Sequence, residues 1–362
     1  MDNKIKVLVV DDSALMRSLI SKMIETQEDM TVVGTAMNGK FALNKIPVLN
    51  PDIIILDLEM PEMNGIEFLK ERNQRGINTP VIILSSIAEK GAKITFEALS
   101  NGASDFITKP SGSVSHNITD VSAQLTSLIR VYTGRRERPH REEPKEEIKE
   151  KVVIPVKPAH PEIKEIPSNR STGRIDIVAI GISTGGPNAI RVLLSEVKED
   201  FKVPILIVQH MPEGFTAEFA KSLKRVCPLD VKEAEDNDLI IPGRVLIAPG
   251  NKHMKIEKKR LGNVAVLNSN ETVNGHRPSA GVLFNSVAET YGDRSMGVIM
   301  TGMGRDGSAE IGNIVKAGGY TIAQDEKSSV VFGMPRVAIE LGNINKILPL
   351  DNMVKFITDY IS

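Results

Sequence analysis

The stretch I-D-I-V-A-I-G-I-S-T-G-G-P, residues Ile175–Pro187, decides how the second half of this chain reads. Ile175, Ile177, Val178, Ala179 and Ile180 predict a buried strand, and the apolar run stops at Gly181. Ser183 follows in a turn too glycine-rich to remain in a sheet, and Asn188–Val197 has helical spacing. A serine at such a strand-to-helix turn exposes its hydroxyl. The amides of Thr184, Gly185 and Gly186 are expected to open the helix unpaired. Gly181-Ile182-Ser183-Thr184-Gly185 also fits G-x-S-x-G, the nucleophile-elbow pattern. Three readings stay open here: a helix cap, an anion cradle or a nucleophile.

Strand and helix patterns alternate onward from this stretch. Ile175–Ile180, Pro204–Val208, Arg244–Ala248, Met296–Met300 and Tyr320–Ala323 read as strands. Ala217–Val226, Ala280–Tyr291, Gly307–Lys316 and Asn352–Tyr360 read as helices. Met254–Glu257 and Val264–Leu267, joined by K-K-R-L-G-N, predict an antiparallel hairpin. The expectation for 173–362 is a mostly parallel, doubly wound α/β sheet with a β-hairpin insertion.

In such sheets ligands sit beyond the carboxyl ends of the strands. Ser183 follows one strand there. Gln209-His210-Met211-Pro212 follows another, and T-G-M-G-R-D-G, containing Asp306, follows a third. Acyl transfer needs these three side chains: His210 to take the Ser183 proton, Asp306 to fix the His210 tautomer. The order Ser…His…Asp is not that of α/β-hydrolases, so a triad here sits on another scaffold. An oxyanion needs fixed N–H donors, for which Met303 and the amides after Ser183, starting with Thr184, are candidates. A dinucleotide G-x-G-x-x-G would need glycine where Ser183 stands, and a P-loop would need Lys-Ser/Thr where Pro187-Asn188 stands. His253 and His276 compete for the role of base. His253 alternates as a strand residue would, and His276, beside Arg277 in N-G-H-R-P-S, suits binding better.

The first 132 residues alternate strand and helix five times. The strands are expected at Val7–Val10, Thr31–Gly34, Ile53–Leu56, Val81–Leu84 and Asp105–Ile107. The helices are expected at Ala14–Thr26, Lys40–Leu49, Ile66–Asn73, Lys90–Ser100 and Ile118–Val131. This is a (βα)5 pattern with a parallel sheet. Strand ends carry Asp11-Asp12, Asp57 and Ser85-Ser86, with Lys109-Pro110 after the last strand. Converging carboxylates favour a divalent cation, and carboxylates with water suit Mg²⁺. A lysine and a hydroxyl beside them would hold phosphoryl oxygens. The constellation predicts phosphorylation of Asp57 in the presence of Mg²⁺.

Residues 133–172 form the third region. The run R-R-E-R-P-H-R-E-E-P-K-E-E-I-K-E-K and six of the chain's 20 prolines predict an extended charged, Pro-rich linker. Glutamates interleave with Arg135, Arg136, Arg138 and Arg141, so a solvated polyampholyte is preferred to a nucleic-acid contact. Ile154–Ile166 has aliphatics able to dock on a neighbouring surface. The formal net charge of −1 removes bulk attraction to nucleic acid or anionic lipid. A single cysteine, Cys227, excludes an internal disulfide and a cysteine metal cluster. No window approaches the roughly 18 apolar residues of a membrane span, and the N-terminal apolar run is too short for a signal peptide. A cytoplasmic protein is expected, with no membrane insertion.

V-V-D-D-S, L-D-L-E-M-P, I-L-S-S and I-T-K-P resemble, in order, the receiver domain of two-component response regulators. That resemblance implies Asp57 as phosphoacceptor. It implies Mg²⁺ on Asp12, Asp57 and the Glu59 carbonyl, with Asp11 acting mainly through water. Ser85 and Lys109 would contact the phosphoryl group, and Phe106 falls at the aromatic switch position. G-I-S-T-G-G-P, V-Q-H-M-P, A-P-G-N-K-H-M, N-G-H-R-P-S and T-G-M-G-R-D-G, following a receiver, resemble the CheB family of bacterial chemotaxis methylesterases. This implies Ser183 as nucleophile, His210 as base and Asp306 as its orienter, with His276 and Arg277 in the substrate cleft. It implies demethylation of glutamyl methyl esters on chemoreceptors, deamidation of receptor glutamines, and a sensor histidine kinase as phosphodonor. No cofactor is expected for the esterase step.

Overall fold

The computed structural model describes residues 4–86, 89–109, 115–134 and 174–361. The linker expected at 133–172 lies outside the described residues from 135 on, with its arginine quartet and the Ile154–Ile166 run.

The first sheet comes from β1 (Ile5–Val10), α1 (Ala14–Glu25), β2 (Met30–Ala36), α2 (Gly39–Leu49), β3 (Ile53–Asp57), α3 (Gly65–Gln74), β4 (Val81–Ser85), α4 (Glu89–Ser100), β5 (Asp105–Thr108) and α5 (Ser115–Tyr132). Its strand order is β2-β1-β3-β4-β5, and every pairing is parallel. Strand β3 is buried along its whole length, which explains an apolar run without alternation. Local caps set the helix starts. Ser13 accepts from the Met16 amide and Asn38 from Phe41, and Asn64 with Glu67 forms a capping box. Ser13 is therefore the cap of α1, and the exposed Asp12 is left for other work.

The second unit continues with β6 (Ile177–Ile182), α6 (Gly186–Ser195), β7 (Ile205–Gln209), α7 (Phe215–Lys224), β8 (Asp230–Glu233), β9 (Arg244–Ile247), β10 (His253–Lys259), β11 (Gly262–Asn268), α8 (Ala280–Tyr291), β12 (Ser295–Ile299), α9 (Ile311–Lys316), β13 (Tyr320–Gln324), α10 (Met334–Glu340), β14 (Lys346–Leu348) and α11 (Leu350–Ile361). Seven strands form one sheet in the order β14-β13-β12-β6-β7-β9-β8, all parallel. β10 and β11 form a separate antiparallel ribbon, the anticipated hairpin. The edge strands β8 and β14 and helix α10 were not anticipated. They are three to seven residues long, too short for a periodic signal.

β6 lies between β7 and β12, where the winding reverses. Ligands of open α/β sheets bind at such a point, beyond the strand ends. The strand also runs further than its sequence suggested, through Gly181 to Ile182. Gly181 is needed there because a Cβ would stand 2.7 Å from the Ala280 Cβ.

The two units pack against each other. Phe106 of β5 stacks on Phe215 at a centroid distance of 5.1 Å, and Phe96 of α4 stacks on Phe219 at 5.4 Å. No helix among the described residues is long and apolar enough to cross a membrane.

Candidate active site

Three strand ends bring Ser183, His210 and Asp306 together. His210 Nδ1 lies 3.1 Å from Ser183 Oγ, and His210 Nε2 lies 2.9 Å from Asp306 Oδ2. The ring thus faces the serine with Nδ1 and the carboxylate with Nε2. A neutral His210 carrying its proton on Nε2 donates to Asp306 and leaves the Nδ1 lone pair aimed at the hydroxyl. The side chain of Asp306 has no exposure and that of His210 only 9%.

Asp306 is held as an anion by more than His210. Ser279 Oγ donates to Oδ1 at 2.6 Å, the Ala280 amide to Oδ2 at 2.6 Å and Asn274 Nδ2 to Oδ1 at 3.3 Å. Burial pushes its pKa up, but the bonds from His210, Ser279 and Ala280 outweigh burial and hold it below the ordinary carboxylate value. A carboxylate so satisfied keeps its charge when His210 becomes an imidazolium.

Ser183 is fixed through its backbone. Its amide donates to the Thr301 carbonyl at 3.0 Å, and its carbonyl accepts from the Gly186 amide at 2.7 Å and from Gln209 Nε2 at 2.9 Å. Gly302 must lack a side chain, since a Cβ would stand 2.8 Å from the Ser183 Cβ. Ser183 is not among the positive-φ residues, and Gly185 is, at φ +74°. The turn's unusual backbone therefore falls on a glycine, where it costs little.

Of the three amides expected to point unpaired from this loop, two are already used. Gly186 bonds Ser183, and the Gly185 amide donates to Asp105 Oδ2 of β5 at 3.1 Å. The Thr184 amide makes no hydrogen bond among the described residues, and neither does that of Met303, in the Gly302–Gly304 loop. Both amides therefore remain available as donors.

The cleft over Ser183 has a volume of 670 Å³ and draws its walls from both units, including Phe106 and Leu128 of the first and Met211, Pro212 and Met303 of the second. His276 lines it and stacks on His210, with ring centroids 3.8 Å apart and planes within 9°. Arg277 also lines it, but its guanidinium turns to Asn251 Oδ1 and to the carbonyls of Ser269 and Asn270. His253 is 1% exposed, accepts from the Ser279 amide and bonds the Glu271 carbonyl, which makes it a scaffold residue.

The second cluster sits at the ends of β1, β3, β4 and β5. Lys109 Nζ lies 2.9 Å from Asp57 Oδ2 and 3.0 Å from Asp11 Oδ2. Carboxylate oxygens of Asp11, Asp12 and Asp57 lie within 4.8 Å of one another. Burial raises the Asp57 pKa, partly offset by Lys109. Three carboxylates against one lysine leave a net negative, oxygen-only donor set, which fits a hard divalent cation such as Mg²⁺. Glu59 and Ser85 line the adjoining 240 Å³ cleft. The Ser85 hydroxyl is engaged with Thr95 and the Gly91 carbonyl, and the exposed Glu59 side chain pairs with Lys90 at 2.9 Å.

Sequence reasoning missed the contacts that join the two units. Asp105, 6% exposed, accepts from Gly185 of the Ser183 loop and from Tyr132 at 3.1 Å. Asn188 of α6 donates to the Ala103 and Ser104 carbonyls. Helix α6 has no side-chain cap of its own at Gly185, so a carboxylate from the other unit supplies one. Gln209, closing an apolar strand, was the one visible signal of a buried polar support behind Ser183.

Comparison with known proteins agrees with this two-part geometry. Residues 7–116 match the response regulator receiver domain and residues 178–357 the CheB methylesterase family. A Treponema denticola protein-glutamate methylesterase/protein-glutamine glutaminase is 51% identical over 98% of both chains. Its Treponema pallidum counterpart is 45% identical over 99% of this chain and 97% of its own. Among solved structures, the Thermotoga maritima CheB methylesterase catalytic domain aligns with a TM-score of 0.50 at 37% identity, over 51% of this chain and 98% of that one. A receiver joined to a Ser/His/Asp α/β hydrolase defines the class, and the chain belongs to the CheB methylesterase family.

Proposed function

We infer that this chain is a phosphorylation-regulated protein-glutamate methylesterase and protein-glutamine glutaminase of chemotactic adaptation. The observation that carries the chemistry is the continuous Ser183–His210–Asp306 hydrogen-bond chain at three adjacent strand ends. Ser183 Oγ attacks the γ-carbonyl carbon of a glutamyl methyl ester as its proton passes to His210 Nδ1. The tetrahedral oxyanion takes the Thr184 and Met303 amides. His210 then gives the proton to the departing methoxide, releasing methanol and leaving a glutamyl-Ser183 ester. Water, deprotonated by His210, attacks that ester and restores Ser183, leaving a glutamate. A glutamine side chain follows the same route with ammonia as leaving group. Asp306 keeps the Nε2 proton and stabilises each imidazolium.

The substrates on this reading are glutamates and glutamines on the cytoplasmic helices of chemoreceptors, and the protein works in the cytoplasm. A sensor histidine kinase supplies the phosphoryl group. Asp57 accepts it, Asp11, Asp12, Asp57 and the Glu59 carbonyl hold Mg²⁺ directly or through water, and Ser85 and Lys109 bind the new oxygens. When bound, Mg²⁺ neutralises charge on the transferring group. In the unphosphorylated chain the receiver obstructs the Ser183 cleft, and the Asp105–Gly185 and Phe106–Phe215 contacts support that reading. Strand β5 carries both contacts and leads directly to Lys109, so rearrangement around Asp57 reaches the cleft through one short strand.

The decisive test is mass spectrometry of methylated receptor peptides incubated with wild type and Ser183→Ala. The wild type should lose the methyl mass as methanol appears, and the variant should leave the peptide unchanged. A variant retaining a tenth or more of the wild-type rate overturns the assignment of the nucleophile.

A further inference from the structure

Two hydrogen bonds hold His210, one at each ring nitrogen. They leave the imidazole free to swing about the line joining Ser183 Oγ and Asp306 Oδ2. A base that swings loses its aim at the hydroxyl. What closes that freedom on one face is His276, parallel to His210 within 9° at 3.8 Å.

His276 is itself locked. The Val273 and His276 backbones exchange hydrogen bonds of 3.1 and 2.9 Å around Asn274 (φ +53°) and Gly275 (φ +79°). Two left-handed residues in an Asn-Gly pair make the tight turn that this dipeptide favours. The same turn sends Asn274 Nδ2 to Asp306 Oδ1, so one short segment touches two members of the triad. Beside it, the Arg277 guanidinium is tied to Asn251 and the 269–270 carbonyls, which anchors the segment from its other end.

Only one of two stacked rings can carry charge at this distance. His210 has Asp306 as a direct partner, and no carboxylate among the described residues bonds His276. Burial, and then the charge on His210, lower the His276 pKa to about 4. The charged groups facing it are His210 and Asp306.

We propose that His276 is a positioning residue for the hydrolase, a flat ring whose face fixes the plane of His210 so that Nδ1 stays aimed at Ser183. This rests on the triad reading above and adds a residue that acts through the base rather than on the substrate.

The test uses the phosphorylated full chain and a synthetic peptide bearing a γ-glutamyl methyl ester. His276→Ala should lower kcat about 10²-fold, the scale of a misaimed reacting group, with KM within about twofold. His276→Phe keeps a flat ring without nitrogens and should return kcat to within about fivefold of wild type. His276→Leu keeps volume without a ring face and should stay as low as the alanine variant. The acid limb of kcat/KM in the phenylalanine variant should match wild type to within about one pH unit, because the native ring carries no proton there. A phenylalanine variant as slow as alanine, a loss confined to KM, or a missing acid limb overturns the proposal. Should the alanine variant lose its melting transition, the Phe/Leu pair carries the comparison. Ser183→Ala run in parallel separates the two ideas: activity there sinks the triad reading, and its absence leaves the His276 outcomes decisive.

Discussion

Asp57, the last residue of β3, and Asp306, in the loop after β12, are both buried carboxylates on the carboxyl side of parallel strands, and the protein treats them in opposite ways. Asp306 accepts from a histidine, a hydroxyl, an amide N–H and a side-chain amide, and its pKa is lowered. Asp57 accepts from the Leu58 amide and Lys109, faces two further carboxylates, and its pKa is raised, burial being the largest cause. A carboxylate with every lone pair occupied is an inert electrostatic fixture. One left short of donors beside an open cleft has oxygens to spare for a cation and a phosphoryl group. Satisfaction, not residue type or strand position, separates the orienter from the acceptor.

Removing the charge of the satisfied carboxylate should do the most damage. Asp306→Asn places an amide opposite His210 Nε2. Its N–H drives the imidazole proton to Nδ1, where it blocks the base. A fall in kcat of about 10⁴-fold is expected from ester-hydrolysis kinetics, as for other triads with a mis-set tautomer. A loss under tenfold would mean Asp306 does not set the tautomer.

The under-satisfied carboxylate should fail differently. Asp57→Asn should abolish phosphodonor-dependent stimulation, and chelation of divalent cations should do the same to wild type. The rate of ester hydrolysis with and without a small phosphodonor reads both. Stimulation that survives either change would place the acceptor elsewhere.

Asp105 gives the smallest expected effect and sharpens the contrast, since it too is buried but serves the interface. Burial raises its pKa to about 6. The folded chain therefore binds more protons than the unfolded one between about pH 4 and 6, and this contribution to stability is lost as pH rises through that window. Asp306 acts with the opposite sign: its contribution is present above the ordinary carboxylate pKa and lost as pH falls through its lowered value. Asp105→Asn should thus gain stability relative to wild type between pH 4 and 7, by on the order of 1–3 kcal/mol in denaturant titrations. Asp105→Ala, which also deletes the acceptor for Gly185, should raise the unphosphorylated esterase rate several-fold. An unchanged rate would remove the Asp105–Gly185 bond from the gating account.

Much of this was legible in the residues. The alternation of apolar strands and amphipathic helices is written locally. Ser183, His210 and Asp57 stand where their strands end, and Asp306 stands in the loop that follows β12. A strand end fixes the neighbourhood of a side chain, so residues far apart in sequence could be gathered at one edge before any contact was known. The short strands β8 and β14 escaped because pairing with neighbours, not periodicity, makes them strands. The donors around Asp306 escaped because serine, asparagine and a helix amide are ordinary capping groups until folding aims them.

By itself the sequence determined two α/β units, the strand ends that carry chemistry, and the family. Tertiary structure alone decided which imidazole nitrogen faces Ser183, that His276 lies flat on His210, and that Asp105 caps a helix 80 residues away. The reason is physical. Strand and helix follow from spacings of two to four residues, whereas a ring's orientation and a carboxylate's partners depend on packing between segments with no fixed spacing in the chain.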